Sequence, residues 1–297
     1  MKNIWKVFFG ICIAVLFIPS AAAQTGSLTG QSLNGAAGLY SIPLGRIGWG
    51  RTSDLGIDIG YHAVINDYGG ASIPAVTASL FKWVEISIAF DIQPDFDRLV
   101  WYNNDWENIK NDDMLLGFKV ALPTNISDSS NPAVAIGGNV QLINFADDDY
   151  DNYFNIDYTA FQIYGAATYA GSFFKMPAET TIVLGKTFYA GIDNNSDIDF
   201  GMGFDLVLLP DVFQNYIHWI IDFANFDYSD NSWPNSVYAK SGAPWYRGIL
   251  NTGLRIDLAN IPALNKFKFI IDVEFKDLFD EGNRAFAIGL VFGMPIL

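Results

Sequence analysis

The chain has 297 residues, 51% of them hydrophobic, with 24 Phe, 14 Tyr and 8 Trp, and a formal charge of −15. So acidic a balance excludes nucleic acid as a partner, because phosphate binding needs clustered Lys and Arg. The single cysteine, Cys12, lies in the N-terminal leader, so the rest of the chain has neither a disulfide nor a thiolate nucleophile.

The chain opens with Lys2 and Lys6, an apolar run from Val7 to Ile18, Pro19, and Ala21-Ala22-Ala23 before Gln24. A basic start, a short apolar segment and an A-x-A site make a secretory signal peptide over 1–23, cleaved near Ala23. The run is shorter than the roughly 20 residues a spanning helix needs, and no later run approaches that length. Residues 24–51 follow, rich in Gly and Ser, and are open to three readings: a periplasmic tail, a short plug folded into a lumen, or an extra strand. Their Gly38-Leu39-Tyr40-Ser41-Ile42-Pro43 resembles the opening of YjbH-like outer-membrane proteins linked to exopolysaccharide export, where a Gly-Leu-x-x-Ile-Pro element precedes the barrel. The match departs at Leu44, where a threonine belongs. It implies an outer-membrane home and transfers no functional residue.

From 52 to 297 the pattern is period-two alternation, the signature of strands with one apolar and one polar face. Twelve strands are predicted, near 53–65, 71–81, 84–93, 113–122, 133–145, 155–169, 179–190, 197–209, 216–227, 247–259, 265–276 and 284–295. The first sets Leu55, Ile57, Ile59 and Tyr61 against Asp54, Asp58 and His62. The third sets Val84, Ile86, Ile88 and Phe90 against Glu85, Ser87 and Asp91. In the eighth, Ile198, Phe200, Met202, Phe204, Leu206 and Leu208 alternate with Asp199, Gly201, Gly203 and Asp205. The eleventh sets Phe267, Phe269, Ile271, Val273 and Phe275 against Lys268, Asp272, Glu274 and Lys276. Repetition of this kind behind a secretory leader predicts an all-β fold: an antiparallel transmembrane β-barrel in a bacterial outer membrane.

The connections agree. With the first strand starting in the periplasm, the inner junctions are Phe81–Val84, Leu122–Ala133, Ala170–Glu179, Pro210–Tyr216 and Ala259–Asn265. The outer junctions are 66–70, 94–112, 146–154, 191–196, 228–246 and 277–283, and they hold the longest polar stretches, as outer-membrane barrels require. Trp101, Tyr102 and Trp106 stand among acids in one outer segment, and Trp233 and Trp245 in another. Aromatics beside carboxylates suit either an interfacial girdle or a sugar face. The chain closes on Leu297 rather than on the terminal aromatic that barrel-assembly machinery usually reads, with Phe292 the nearest aromatic.

Chemistry is sparse. His62 has Asp58 four residues away and His218 has Asp222, but the two histidines are expected near opposite rims and both in the lumen. Asp193, Asn195, Asp197 and Asp199 are spaced like the start of a calcium loop. Ile198 replaces the turn glycine, however, and Phe204 replaces the bidentate glutamate. No catalytic residue, metal ligand or cofactor site is therefore assigned, and the chain is read as a non-enzyme. The expected lumen lining is Asp58, Glu85, Asp91, Lys119, Lys186, Asp199, Asp205, Asp222, Arg255, Lys268, Asp272 and Glu274. Acids outnumber bases in that set, so an open lumen would favour cations. The first expectation is a passive, porin-like channel for small polar solutes. The alternatives are a non-conducting barrel whose outward loops bind a partner or polysaccharide, and, third, a barrel hydrolase. Outer-membrane lipid and the barrel-assembly machinery are the expected partners in all three.

Overall fold

The computed structural model describes residues 29–49, 53–66, 69–92, 99–102, 105–108, 112–123, 132–144, 158–190, 198–226, 228, 249–261, 264, 267–279 and 284–296. The segment 1–23 expected as a signal peptide, the calcium-like 193–197 segment, Trp233 and Trp245 lie outside the described residues.

Among the described residues fourteen strands occur, beginning with β1 (Leu55–Asn66), β2 (Gly69–Leu80), β3 (Val84–Ile92), β4 (Leu99–Tyr102), β5 (Asp105–Asn108), β6 (Asp112–Ala121) and β7 (Ala133–Asn144). Then follow β8 (Tyr158–Phe173), β9 (Met176–Ala190), β10 (Asp199–Val207), β11 (Ile217–Ala224), β12 (Ile249–Asp257), β13 (Lys268–Lys276) and β14 (Ala285–Pro295). Twelve of them close into an antiparallel barrel in which each pairs with its neighbour in sequence and β14 pairs back onto β1. The remaining two, β4 and β5, pair as a separate hairpin within the outer segment 94–112. The alternation of the sequence does not predict that hairpin. It sets Trp101 opposite Trp106 and Tyr102 opposite Asp105 in backbone register.

The twelve barrel strands fall where alternation predicts them, with one clear difference. The junction expected at 170–179 is mostly strand: β8 and β9 continue pairing to Phe173 and Met176. A two-residue turn, Phe174-Lys175, joins them with φ of 46° and 68°. Both residues sit in the left-handed region, the geometry that matches the twist of the flanking strands. Pro177 lies in the strand just past this turn, paired with Ser172. Proline is tolerated there, next to a strand start. A one-turn helix α1 (Pro210–Phe213) makes the β10–β11 junction.

The two faces of the wall differ as the pattern dictates. Outward positions carry exposed Ile59, Phe118, Ile163, Leu184, Leu254 and Phe292 on six different strands. A closed barrel leaves no unpaired edge, so an apolar outer wall of this kind is at home in hydrocarbon. Inward positions are buried and largely polar or small, for example Asp58, Glu85, Lys119, Asp222 and Lys268. These features place the barrel in the bacterial outer membrane.

Candidate functional site: the plugged lumen

Of the three readings of residues 24–51, the described part, 29–49, takes the second. It lies inside the barrel, and every residue from Thr29 to Trp49 except Arg46 is buried. The segment folds on itself first. Ser32 N donates to Ala36 O (2.8 Å), Leu33 N to Tyr40 O (2.9 Å), Leu39 N to Ile42 O (3.0 Å) and Leu44 N to Ala37 O (2.9 Å). Gly35, at φ 84°, makes the turn that returns the chain to Ala36. Backbone groups buried in a lumen need such partners, because an unpaired buried N–H or C=O is costly. The plug also supplies apolar bulk: Leu33, Leu39, Tyr40, Ile42 and Leu44 share one cluster with Ile73, Tyr164, Val183, Ile220 and Phe226 of the wall and loops.

Wall carboxylates hold the plug from opposite sides. Glu85 on β3 accepts from Ala37 N and Gly48 N, both at 2.9 Å. Its cross-strand partner Lys119 on β6 binds Glu85 at 2.9 Å and donates to Ala37 O at 3.1 Å. One plug residue is thus gripped by both its N–H and its C=O. On the far wall, Asp222 Oδ2 on β11 accepts from Tyr40 N and Ser41 N, each at 2.8 Å, while Asn251 Nδ2 donates to Oδ1 at 2.7 Å. Glu179 on β9 pairs with Arg46, and Thr168 Oγ1 on β8 accepts from Gly45 N at 2.8 Å. Hydrogen bonds to charged acceptors are about twice as strong as neutral ones, so these fix the plug's position.

The wall makes room with small residues. A methyl on Gly203 would overlap Leu39 Cδ1 and stand 2.9 Å from Ile42 Cδ1, and one on Gly201 would meet Ile42 Cγ2 at 2.7 Å. The polar face of the eighth predicted strand, read from sequence as lumen-facing, is therefore the socket for two plug side chains. On β14, Gly293 lies opposite both Asp58 of β1 and Lys268 of β13. Without a side chain there, Lys268 Nζ reaches Asp58 Oδ2 at 2.7 Å across the intervening strand. Trp49 completes this end of the plug, with Nε1 donating to Asp58 Oδ1 at 2.7 Å and its ring 5.2 Å from Lys268 Nζ.

Eleven of the twelve expected lining residues are on inward positions: Asp58, Glu85, Asp91, Lys119, Asp199, Asp205, Asp222, Arg255, Lys268, Asp272 and Glu274. Lys186 is the correction. It pairs with Ile163, an exposed outward residue, and shares its strand face with exposed Leu184 and Phe188. The inward residue is Thr187, one step along β9, which donates to Asp199 Oδ2 at 2.6 Å. A lysine near the outer end of a strand can run its aliphatic stem along the wall and keep its charge at the interface. Residues that the sequence did not single out also line the lumen: Thr77, Asn139, Gln162, Glu179 and Asn251. Their polar character on alternate positions was the available signal.

In the outer half of the lumen, Asp91 and Asp113 stand opposite one another, and Gln141 Nε2 donates to Asp113 Oδ2 at 2.8 Å. Tyr228 of the outer segment is buried here: its hydroxyl donates to Gln162 Oε1 (2.7 Å) and accepts from Asn139 Nδ2 (2.9 Å). Asn139 Oδ1 in turn accepts from plug residue Asn34 at 3.2 Å. Lower down, Arg255 forks onto Asp272, Nε to Oδ1 and Nη2 to Oδ2, both at 2.8 Å, and Nη1 donates to Gly38 O of the plug at 3.2 Å.

The structure brings neither histidine to the acid four residues away. His218 Nδ1 is 2.7 Å from Asp205 Oδ1, whereas Asp222 serves the plug. His62 faces the edge of the Tyr40 ring, 6.3 Å between centroids, and Asp58 is committed to Lys268 and Trp49. The two histidines occupy one lateral row with Gly289, Asp272 and Arg255 between them. At about 4.8 Å per strand, four strand spacings separate them by roughly 19 Å along the wall. Among the described residues no group of three or more His, Cys, Asp or Glu side chains is arranged to hold a metal ion.

No family model and no curated protein matches the chain. Among solved structures, KdgM porin aligns with 81% of this chain and 99% of its own, at 6% identity and a TM-score of 0.46. LpxR from Salmonella typhimurium aligns with 80% and 100%, at 8% identity and a TM-score of 0.45. The Acinetobacter baumannii outer membrane protein Omp33 aligns with 82% and 98%, at 9% identity and a TM-score of 0.40. At such identities the likeness is one of barrel architecture, and the resemblance of Gly38–Pro43 to YjbH-like proteins finds no support in it.

Proposed function

We propose that this is a porin-like outer-membrane barrel held closed by its own N-terminal segment, through which small polar solutes pass once the plug shifts. One observation carries the reading: residues 29–49 fill an acidic lumen whose wall carboxylates bind the plug's backbone. Leu33, Leu39, Ile42, Leu44, Ile47 and Trp49 are all buried. At about 1.5–3 kcal/mol for each fully buried side chain, the closed form dominates at rest. The acids that remain on the wall lend the passage a preference for cations.

The test is planar-bilayer conductance of the purified chain and of a plug-weakened variant, Leu39→Ala with Ile42→Ala. Wild-type protein is expected to stay closed for long periods, and the variant to open often, with cation-selective current. A folded variant that passes no current sinks the channel reading. The extent of apolar packing around the plug favours a second reading, a permanently closed barrel that works through its outward segments. That reading expects polysaccharide binding to disappear on deletion of 95–112 or 229–246 while the barrel still assembles. Unchanged binding in both deletions rejects it.

A further inference from the structure

We infer that Glu274 and Asp222 set the charge preference of the lumen, as the position where a small monovalent cation such as K⁺ is held once the plug has moved. The inference rests on the plugged-channel reading and names the side chains that act in it. Wall acids divide by what partners them. Asp58 has Lys268, Glu85 has Lys119, Asp272 has Arg255 and Asp205 has His218, all on the wall itself. These pairs stay together whether or not the plug is seated. Asp199 likewise keeps Gln162 and Thr187.

Glu179 also has a plug partner, Arg46, but lies on β9, four strands from Glu274; Asp222, on β11, has the plug amides Tyr40 N and Ser41 N as two of its three donors. When the plug leaves, neutral Asn251 is the donor that remains. Glu274 differs further. It is 1% exposed, yet neither carboxylate oxygen accepts a hydrogen bond among the described residues. Its side chain lies over Gly253 of β12, where a methyl would stand 2.5 Å from Glu274 Cγ. Its charged neighbours are Asp272, Asp222 and Arg255, and Arg255 is already forked onto Asp272. Once the plug has moved and water and ions enter, a carboxylate with both acceptors unmet is free to take a counter-charge. Plug movement frees Oδ2 of a second carboxylate, Asp222, two strands away on the wall.

The experiment reads the K⁺/Cl⁻ permeability ratio from reversal potentials in a KCl gradient, in a background where the plug is lifted. Gly45→Val supplies that background in the full chain: a side chain there meets backbone atoms of Ala133, Ala166 and Thr168, which a closed wall cannot move. A carboxylate about 5 Å from a permeating ion in water favours it by about fourfold. E274Q and D222N are each expected to lower the ratio by at least that factor. Current whose ratio ignores both E274Q and D222N overturns this inference alone. A folded Gly45→Val barrel without current overturns the plugged-channel reading and this inference with it. Should Gly45→Val fail to assemble, the same ratios are measured on voltage-induced openings of the otherwise wild-type chain. There, too, a ratio indifferent to both substitutions overturns the inference, and a folded barrel that never opens overturns the channel reading.

Discussion

A size swap between the plug and its socket tests the seat directly. Leu39 is buried against Gly203, and a Cβ on Gly203 overlaps its Cδ1 and crowds Ile42. Gly203→Val therefore overpacks the contact, at a cost of about 1–3 kcal/mol. The wall is tied by ladders on both sides of β10, so the plug is the part that yields. Leu39→Ala alone leaves a cavity and costs about 2–5 kcal/mol. The double variant puts the missing volume back from the opposite side and should cost less than the sum, by about 0.5–3 kcal/mol of coupling. Because Cys12 is the chain's only cysteine, a Ser32→Cys probe in a Cys12→Ser background reports plug exposure alone. Gly203→Val, by about 1–3 kcal/mol, should raise the slow maleimide labelling of that probe by about 5- to 150-fold. Adding Leu39→Ala should raise the rate further by a smaller factor than Leu39→Ala raises it in the unaltered socket. Strict additivity, with labelling unaffected by Gly203→Val, would refute the seating of Leu39 in this socket.

Other consequences are as direct. Lys268→Met leaves Asp58 buried without its cation and should cost about 3–5 kcal/mol, whereas Lys268→Met with Asp58→Leu should recover much of that loss, measured by urea unfolding from liposomes. Glu85→Gln weakens two N–H contacts and the Lys119 pair together, so labelling of Ser32→Cys should rise while heat-modifiable gel mobility stays that of a folded barrel. Leu184→Arg puts a charge on the outward face at an exposed position and should destabilise the barrel by about 2–4 kcal/mol if that position lies near the bilayer midplane. The same change at Val183, on the inward face, should instead disturb the plug.

The barrel was legible because a two-residue period survives twelve times over, and because tight ladders leave each strand little freedom of phase. Lys186 shows the limit. Gly185 and Lys186 follow an apolar run, and polarity alone reads the lysine as inward when it is the pairing with Ile163 that fixes its face. The strand extension to Phe173 and Met176 was hidden by Pro177, which normally marks a boundary. The plug was one of three readings of residues 24–51, and the segment's own pattern did not choose among them. Its apolar residues Leu33, Leu39, Ile42, Leu44, Ile47 and Trp49 follow no helical or strand period. A signal for it did exist on the other partner. Inward positions at Gly201, Gly203, Ala285, Ala287, Gly289 and Gly293 are too small to fill a lumen, so something else must fill it.

The ion pair that crosses β14 bears on how the barrel is built. Asp58 belongs to the first strand made and Lys268 to the next to last, so their bond forms only when β14 has docked between them in the right register. A slip of two residues along that seam would replace Gly293 with a side chain and separate the charges. Trp49 donates to the same carboxylate, so the last contact of the plug and the closing of the cylinder share one atom group. A cylinder closed in the wrong register, or around an unseated plug, would leave a bare charge at the joint.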